Sequence, residues 1–187
     1  HMYIHLMEMS PYPEKALKAG DALTNLVPDA GHLQHMATHI DVLCGHYENV
    51  VRRNHIASKA DKKYLNYRGS NTFYTTYVCH NLHFKIYGAM FLGQIKPALE
   101  AANELQNLLS EEVVRPSADW LESYYPMKFH VLVRFGMWDE IIGQELPRDG
   151  ELYCFTTALT YYAKTIAYAA TNLIDEAEKQ KELFFKA

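Results

Sequence analysis

Apolar residues recur every three or four positions through most of the 187-residue chain, and the alternation typical of strands is nearly absent. Proline, glycine and asparagine interrupt this period near residues 11–13, 28–29, 68–71 and 147–150. The pattern predicts an all-α protein. Its helices are expected over about 1–9, 13–26, 30–44, 47–60, 71–92, 95–109, 117–135, 138–145, 151–171 and 174–186.

The junctions between these helices share one short sequence pattern, in which an apolar helix end is followed by a turn-permissive residue. A small or aliphatic residue comes five positions later. Successive junctions are 34, 48, 43 and 36 residues apart, and they are centred on Pro11, Gly45, Gly93, Gly136 and Asn172. Such a repeat predicts an α-solenoid of about five antiparallel helical hairpins, in a single domain over residues 1–187.

These junctions resemble the signature of the tetratricopeptide repeat superfamily over nearly the whole chain. Its Leu-Gly-x-x-Tyr pattern is matched, with one residue's displacement, by Leu43, Gly45 and Tyr47. Two of the four intervals lie near the superfamily's repeat of about 34 residues. The resemblance implies that the first helix of each repeat lines a concave groove.

The last predicted helix ends in the apolar segment 183–185, with no polar capping helix after it. We therefore expect either a fragment of a longer array or an end that packs against a partner, including self-association.

Histidines are the main candidates for chemistry. His32, His35 and His39 lie at i, i+3 and i+7, which on a helix forms one stripe with Cβ atoms roughly 5–6 Å apart. The stripe recurs in other repeats. Counted back from the nearest junction, these histidines share offsets of six, ten or thirteen residues. The tetratricopeptide resemblance therefore implies that one wall of the groove carries, on it or near it, His1, His5, His32, His35, His39, His80, His83 and His130.

A shorter segment is similar to a group of bacterial tetratricopeptide-repeat proteins with a His-x-x-x-His helix and then a His-x-x-His-Met-x-x-His-Ile helix. The residues that match are His1, His5, His32, His35 and His39, with His80 and His83 further on. This chain has Ala37 where the group has proline, so we expect a less interrupted helix. The resemblance implies no particular reaction.

Converging neutral imidazoles are suitable ligands for zinc, copper or iron. The predicted metal ligands are His1, His5, His32, His35, His39, His80, His83 and Glu8, the last because it shares a helix face with His5. Asp41 and Glu48 are candidates to hold the rings through hydrogen bonds. Two alternatives stay open: a metal-dependent enzyme with an open coordination position, and a scaffold whose groove binds a peptide or partner helix.

The composition excludes several other functions. The net charge is −4 and basic residues are dispersed, so neither nucleic acid nor a membrane surface is an expected partner. Three widely separated cysteines indicate no disulfide framework, which fits a reducing cytoplasm best, with the periplasm as the alternative. No phosphate-binding loop is visible, so no nucleotide or organic cofactor is expected.

Overall fold

The computed structural model describes residues 1–187 and contains helices and connecting turns but no strand, which confirms the all-α prediction. None of its helices combines the length and apolar character needed to cross a bilayer. The α-helices are α1 Met2–Glu8, α2 Leu17–Leu23, α3 Gly31–His35, α4 Thr38–Leu43, α5 Tyr47–Arg68, α6 Tyr74–Phe91, α7 Ile95–Leu108, α8 Glu111–Val114, α9 Ala118–Leu121, α10 Met127–Arg134, α11 Trp138–Ile142, α12 Cys154–Ala170 and α13 Ile174–Phe184.

The chain forms two compact units, His1–Ala101 and Ala102–Ala187. The single repeat domain and the solenoid arrangement stay predictions.

Four of the five predicted junctions adopt one backbone conformation. Backbone φ is positive, between 62° and 75°, at Gly45, Gly93, Gly136 and Asn172. At the first of these, Gly45 N–H donates to Val42 O at 3.2 Å and His46 N–H donates to Asp41 O at 2.8 Å. The other three repeat this pair of bonds, which defines the Schellman helix end. Glycine suits that position because it has no Cβ to crowd a left-handed backbone.

In the first unit, an apolar cluster holds α1 against α4. It consists of the fully buried side chains of Ile4, Ala16, Met36 and Ile40. Met36 is therefore a core residue. Because His5 follows Ile4 on α1 and His39 precedes Ile40 on α4, this packing brings the two histidines together. The long helices α5 and α6 pack against each other, and α3 lies on both.

The prediction of one continuous helix over 30–44 is wrong, because the helix is interrupted at Met36 and Ala37. The Thr38 hydroxyl donates to His35 O at 2.7 Å, occupying a carbonyl that would accept from His39 N–H in a regular α-helix. His39 N–H instead donates a hydrogen bond to Met36 O at 3.3 Å. The helix is therefore interrupted without a proline at position 37, and the Thr38 hydroxyl takes the place of a backbone donor to His35 O.

In the second unit, the predicted helix 117–135 is likewise wrong, since it divides into α9, a 3-10 turn and α10. Pro126 stands immediately before α10 and cannot continue the backbone hydrogen bonds of a preceding helix. The buried carboxylate of Glu122 accepts from Thr156 N–H at 2.7 Å and from the Thr156 hydroxyl, which fixes the turn to α12. Helices α11 and α13 pack on α12.

We predict that Gly31→Ala destabilises the first unit. A Cβ at Gly31 would lie 1.9 Å from Asp61 Oδ1, and that carboxylate is held by Tyr74 Oη at 2.6 Å and Asn81 Nδ2 at 2.7 Å. Overpacking of this kind lowers the free energy of unfolding by about 1–3 kcal/mol. Urea unfolding measures it, with Gly150→Ala as the control because nothing lies within 4 Å of that Cβ. Equal stability of the two variants would contradict this packing.

Candidate metal centre

Seven of the eight predicted ligands meet in the first unit, on α1, α3, α4 and α6 or at the start of α1. They form three overlapping sets, in each of which one donor atom per residue lies within 4.8 Å of the others. The sets are His35, His39 and His80; His1, His5 and His32; and His5, Glu8 and His39. Residues separated by up to 79 positions in the chain are thus brought into one cluster.

The orientation of His35 is fixed by a buried asparagine on α5. Asn54 Nδ2 donates to Val50 O at 2.9 Å, so Asn54 Oδ1 is the atom that faces His35 Nδ1 at 2.7 Å. An amide oxygen can only accept, so His35 Nδ1 carries the proton. His35 Nε2 is therefore a bare lone pair when the ring is neutral, as a metal ligand requires.

Glu8 fixes His39 in the same way. Glu8 Oε2 lies 2.5 Å from His39 Nδ1, and Glu8 Oε1 lies 2.9 Å from His5 Nδ1. Two ligands of one tetrahedral zinc ion are about 3.3–3.5 Å apart, given bonds of about 2.0–2.2 Å. The separation between Glu8 and His39 is too short for that, and it indicates a hydrogen bond from His39 Nδ1–H to the carboxylate. Glu8 therefore orients His39 and leaves Nε2 of that ring for a metal.

The Nε2 atoms of the first set converge. His35 Nε2 lies 2.9 Å from His39 Nε2, and His80 Nε2 lies 3.4 Å from His39 Nε2. The second distance is the one expected between ligands of a tetrahedral ion, and the first is a few tenths of an ångström shorter. Phe84 packs edge-on against His35 and His80, with ring centroids 4.8 Å away in each case. Its ring gives the site an apolar wall.

Burial keeps the imidazoles of this set neutral. It is the main cause that lowers the pKa of His80 to about 4 and the pKa of His35 well below its ordinary value of 6.5, and the neighbouring histidines add to both effects. Burial also lowers the pKa of His39, although the Glu8 carboxylate opposes it. Neutral rings are the metal-binding form, so protons compete weakly with a metal at neutral pH.

The set of His1, His5 and His32 lies nearer the surface. His1 Nε2 and His32 Nε2 are 3.2 Å apart, and His1 is exposed while the other two are half-buried. His32 Nδ1 is buried without a hydrogen-bond partner. The Tyr77 ring packs against His32, with centroids 4.7 Å apart. This set therefore has fewer hydrogen bonds to hold its rings than the first.

The remaining predicted residues lie elsewhere. His83 belongs to none of the three sets and lines a small cavity with Val42 and Tyr87. His130 lies in the second unit beside Tyr162. Asp41, expected to orient a ligand, instead pairs with Arg53 Nε at 3.2 Å.

Sequence reasoning missed Asn54 and Phe84. Asn54 lies four residues after Val50 and three before Ala57, both fully buried. That i, i+4, i+7 spacing placed a polar residue on the buried face of α5, which was the signal available for it. Phe84 has no such signal, because aromatic residues on α6 are numerous.

No protein-family model matches the chain, and neither a curated protein nor a solved structure matches it at a significant level. The tetratricopeptide resemblance stays a prediction.

We predict that acid destabilises the metal-free protein. Below about pH 6.5 these histidines bind protons in the unfolded chain but not in the folded one, so the free energy of unfolding falls as the pH falls. For His80 the decline extends down to about pH 4, and above about pH 6.5 it is absent. Urea unfolding in chelator at several pH values measures it.

His80→Gln should make this decline shallower than in the wild-type protein, because the variant lacks the imidazole whose pKa burial lowers. A decline of the same slope in the variant and the wild type would contradict the lowered pKa of His80.

Proposed function

We propose that this protein binds a transition metal ion through Nε2 of His35, His39 and His80. The observation that carries the proposal is the distance of 2.9 Å between His35 Nε2 and His39 Nε2. Because Asn54 and Glu8 accept the Nδ1 protons of these two rings, both Nε2 atoms carry lone pairs that face each other. Two lone pairs at that distance repel unless a cation lies between them. A metal ion satisfies both, together with His80.

The donor set supports a borderline transition metal. Three neutral imidazole nitrogens suit zinc, copper or iron, whereas magnesium and calcium take mainly oxygen ligands. Orientation of ligand histidines by a carboxylate and by an amide oxygen is the usual arrangement around such ions. The buried position of His35 and the apolar Phe84 ring would strengthen electrostatic attraction to the ion.

We further propose that the helices are tetratricopeptide-like hairpins. The support is the recurrence of one Schellman helix end at Gly45, Gly93, Gly136 and Asn172, each between two consecutive helices of the chain. In the first unit, α4 packs against α5 across such a turn, and in the second unit α12 packs against α13. The histidine set would then belong to the helices that face a groove.

A metal-dependent enzyme is a second candidate function. Three nitrogen donors leave one position of a tetrahedral ion open, as in catalytic zinc sites, and a water held there would become more acidic.

The binding-scaffold alternative is favoured by a cavity of about 370 Å³ in the second unit. It is lined by aromatic rings such as Tyr125 and Tyr153 and by charged side chains such as Arg148 and Asp149. Aromatic and charged side chains together can contact the side chains of a bound peptide or partner helix.

We predict stoichiometric metal in protein purified without a chelator or an added histidine tag. His35→Ala and His80→Ala should each remove most of it, because two imidazoles bind far more weakly than three. The control variant His55→Ala should retain the metal, because His55 is exposed and belongs to none of the three sets. Elemental analysis by mass spectrometry measures all four proteins.

His80→Ala is the more informative of the two variants, since His80 is half-buried while His35 is fully buried and also holds Asn54. Circular dichroism establishes that each variant is folded. Equal metal content in His80→Ala and His55→Ala, both folded, would contradict the proposed centre.

A further inference from the structure

The carboxylate of Glu8 touches two histidines that belong to different sets. Its Oε2 lies 2.5 Å from His39 Nδ1, in the set with His35 and His80, and its Oε1 lies 2.9 Å from His5 Nδ1, in the set with His1 and His32. One side chain therefore orients one ring of each set. Both rings donate from Nδ1, so each presents Nε2 on its other side.

The second set has the composition of a metal site of its own. Its three donor nitrogens lie within 4.8 Å of one another, and His1 Nε2 and His32 Nε2 are 3.2 Å apart. That distance is close to the separation of about 3.3–3.5 Å between ligands of one tetrahedral ion. None of its three residues belongs to the first set.

The two sets are neighbours. The rings of His5 and His39 have centroids 5.3 Å apart, and those of His32 and His35 have centroids 6.0 Å apart with planes only 22° from parallel. A zinc ion in a protein is almost always four-coordinate, so one such ion could not be bound by all six rings.

We propose that the protein binds a second transition metal ion at His1, His5 and His32, and that Glu8 links the two metal sites. The inference rests on the proposed function, since it takes the first site as occupied. Glu8 is a positioning residue here: it holds the Nδ1 protons of His5 and His39 and does not contact either ion. Occupation of one site makes its Nδ1–H a stronger donor to Glu8, so the two affinities are coupled.

The second site binds more weakly than the first. In the first set, two of three rings have hydrogen-bond partners at Nδ1, namely Asn54 and Glu8. In the second set only His5 has one, and His32 Nδ1 is buried without a partner, so an Nδ1–H there would be unsatisfied. His1 is exposed and must be immobilised on binding.

The test is titration of the metal-free full chain with Co²⁺, whose visible absorption reports histidine coordination, and with Zn²⁺ by calorimetry. The wild-type chain should bind two equivalents with separate affinities. His32→Ala should lose the weaker equivalent, and His80→Ala should lose the tighter one. The control His55→Ala should bind both as the wild type does.

Glu8→Gln tests the link between the sites. An amide offers one accepting oxygen in place of two, so this variant should still bind two equivalents, with at least one of the affinities reduced by about 10–100-fold. Glu14→Gln, an exposed residue of the turn before α2, is the matched control and should change neither affinity. Unchanged affinities in Glu8→Gln would overturn its positioning role.

The possible failures are distinguishable. A single equivalent that is lost in His80→Ala and retained in His32→Ala would overturn the second site and leave the proposed function intact. A single equivalent lost in His32→Ala and retained in His80→Ala would overturn the proposed first centre. No uptake of Co²⁺ or Zn²⁺ by the folded wild-type chain would overturn both.

Discussion

The contact on which the site depends is the approach of two ring nitrogens, His35 Nε2 and His39 Nε2, to 2.9 Å. Each ring already donates its Nδ1 proton to another residue, to Asn54 in one case and to Glu8 in the other. If both rings are neutral, two lone pairs face each other in a buried place, which is unfavourable. A proton shared by the two Nε2 atoms would remove the repulsion between these lone pairs. A metal ion would remove it too, and would also accept the Nε2 lone pair of His80.

The surrounding helices make this contact possible. Ile4 and Ile40 are fully buried in one apolar cluster, and their packing sets α1 beside α4, so that Glu8 reaches His39. The break at Met36 and Ala37 separates α3 from α4 between His35 and His39. Asn54 is fully buried on α5, where an amide is unfavourable unless its hydrogen bonds are satisfied. Satisfying them with His35, Thr38 and Val50 ties the ligand to the core.

Much of this organisation could be predicted from the sequence. The helical period predicted the all-α class. The sequence pattern at the junctions located Gly45, Gly93, Gly136 and Asn172, each of which has the same backbone conformation at the end of a helix. The histidine register found every member of both trihistidine sets. The helix class, the junctions and the stripe of His32, His35 and His39 were predictable because they are local: a Schellman turn needs a glycine-like residue, and i, i+3, i+4 spacing defines a helix face.

The rest depended on tertiary contacts that no local pattern records. The register placed His83 with His35, but His83 lies one turn beyond His80 on α6, belongs to none of the three sets and lines a small cavity. Asp41 was expected near the site, yet Arg53 was the stronger partner for a buried carboxylate. At the helix break between His35 and His39, the Thr38 hydroxyl donates to His35 O, although alanine at position 37 favours an unbroken helix.

X-ray absorption at the edge of the bound metal identifies the ligand atoms of that ion in the purified protein. We expect a first shell of imidazole nitrogens at about 2.0–2.1 Å, with the outer-ring scattering typical of histidine, and loss of most of the metal signal in His80→Ala. A first shell of oxygen or sulfur ligands, or a metal signal that His80→Ala leaves unchanged, would contradict the proposed centre.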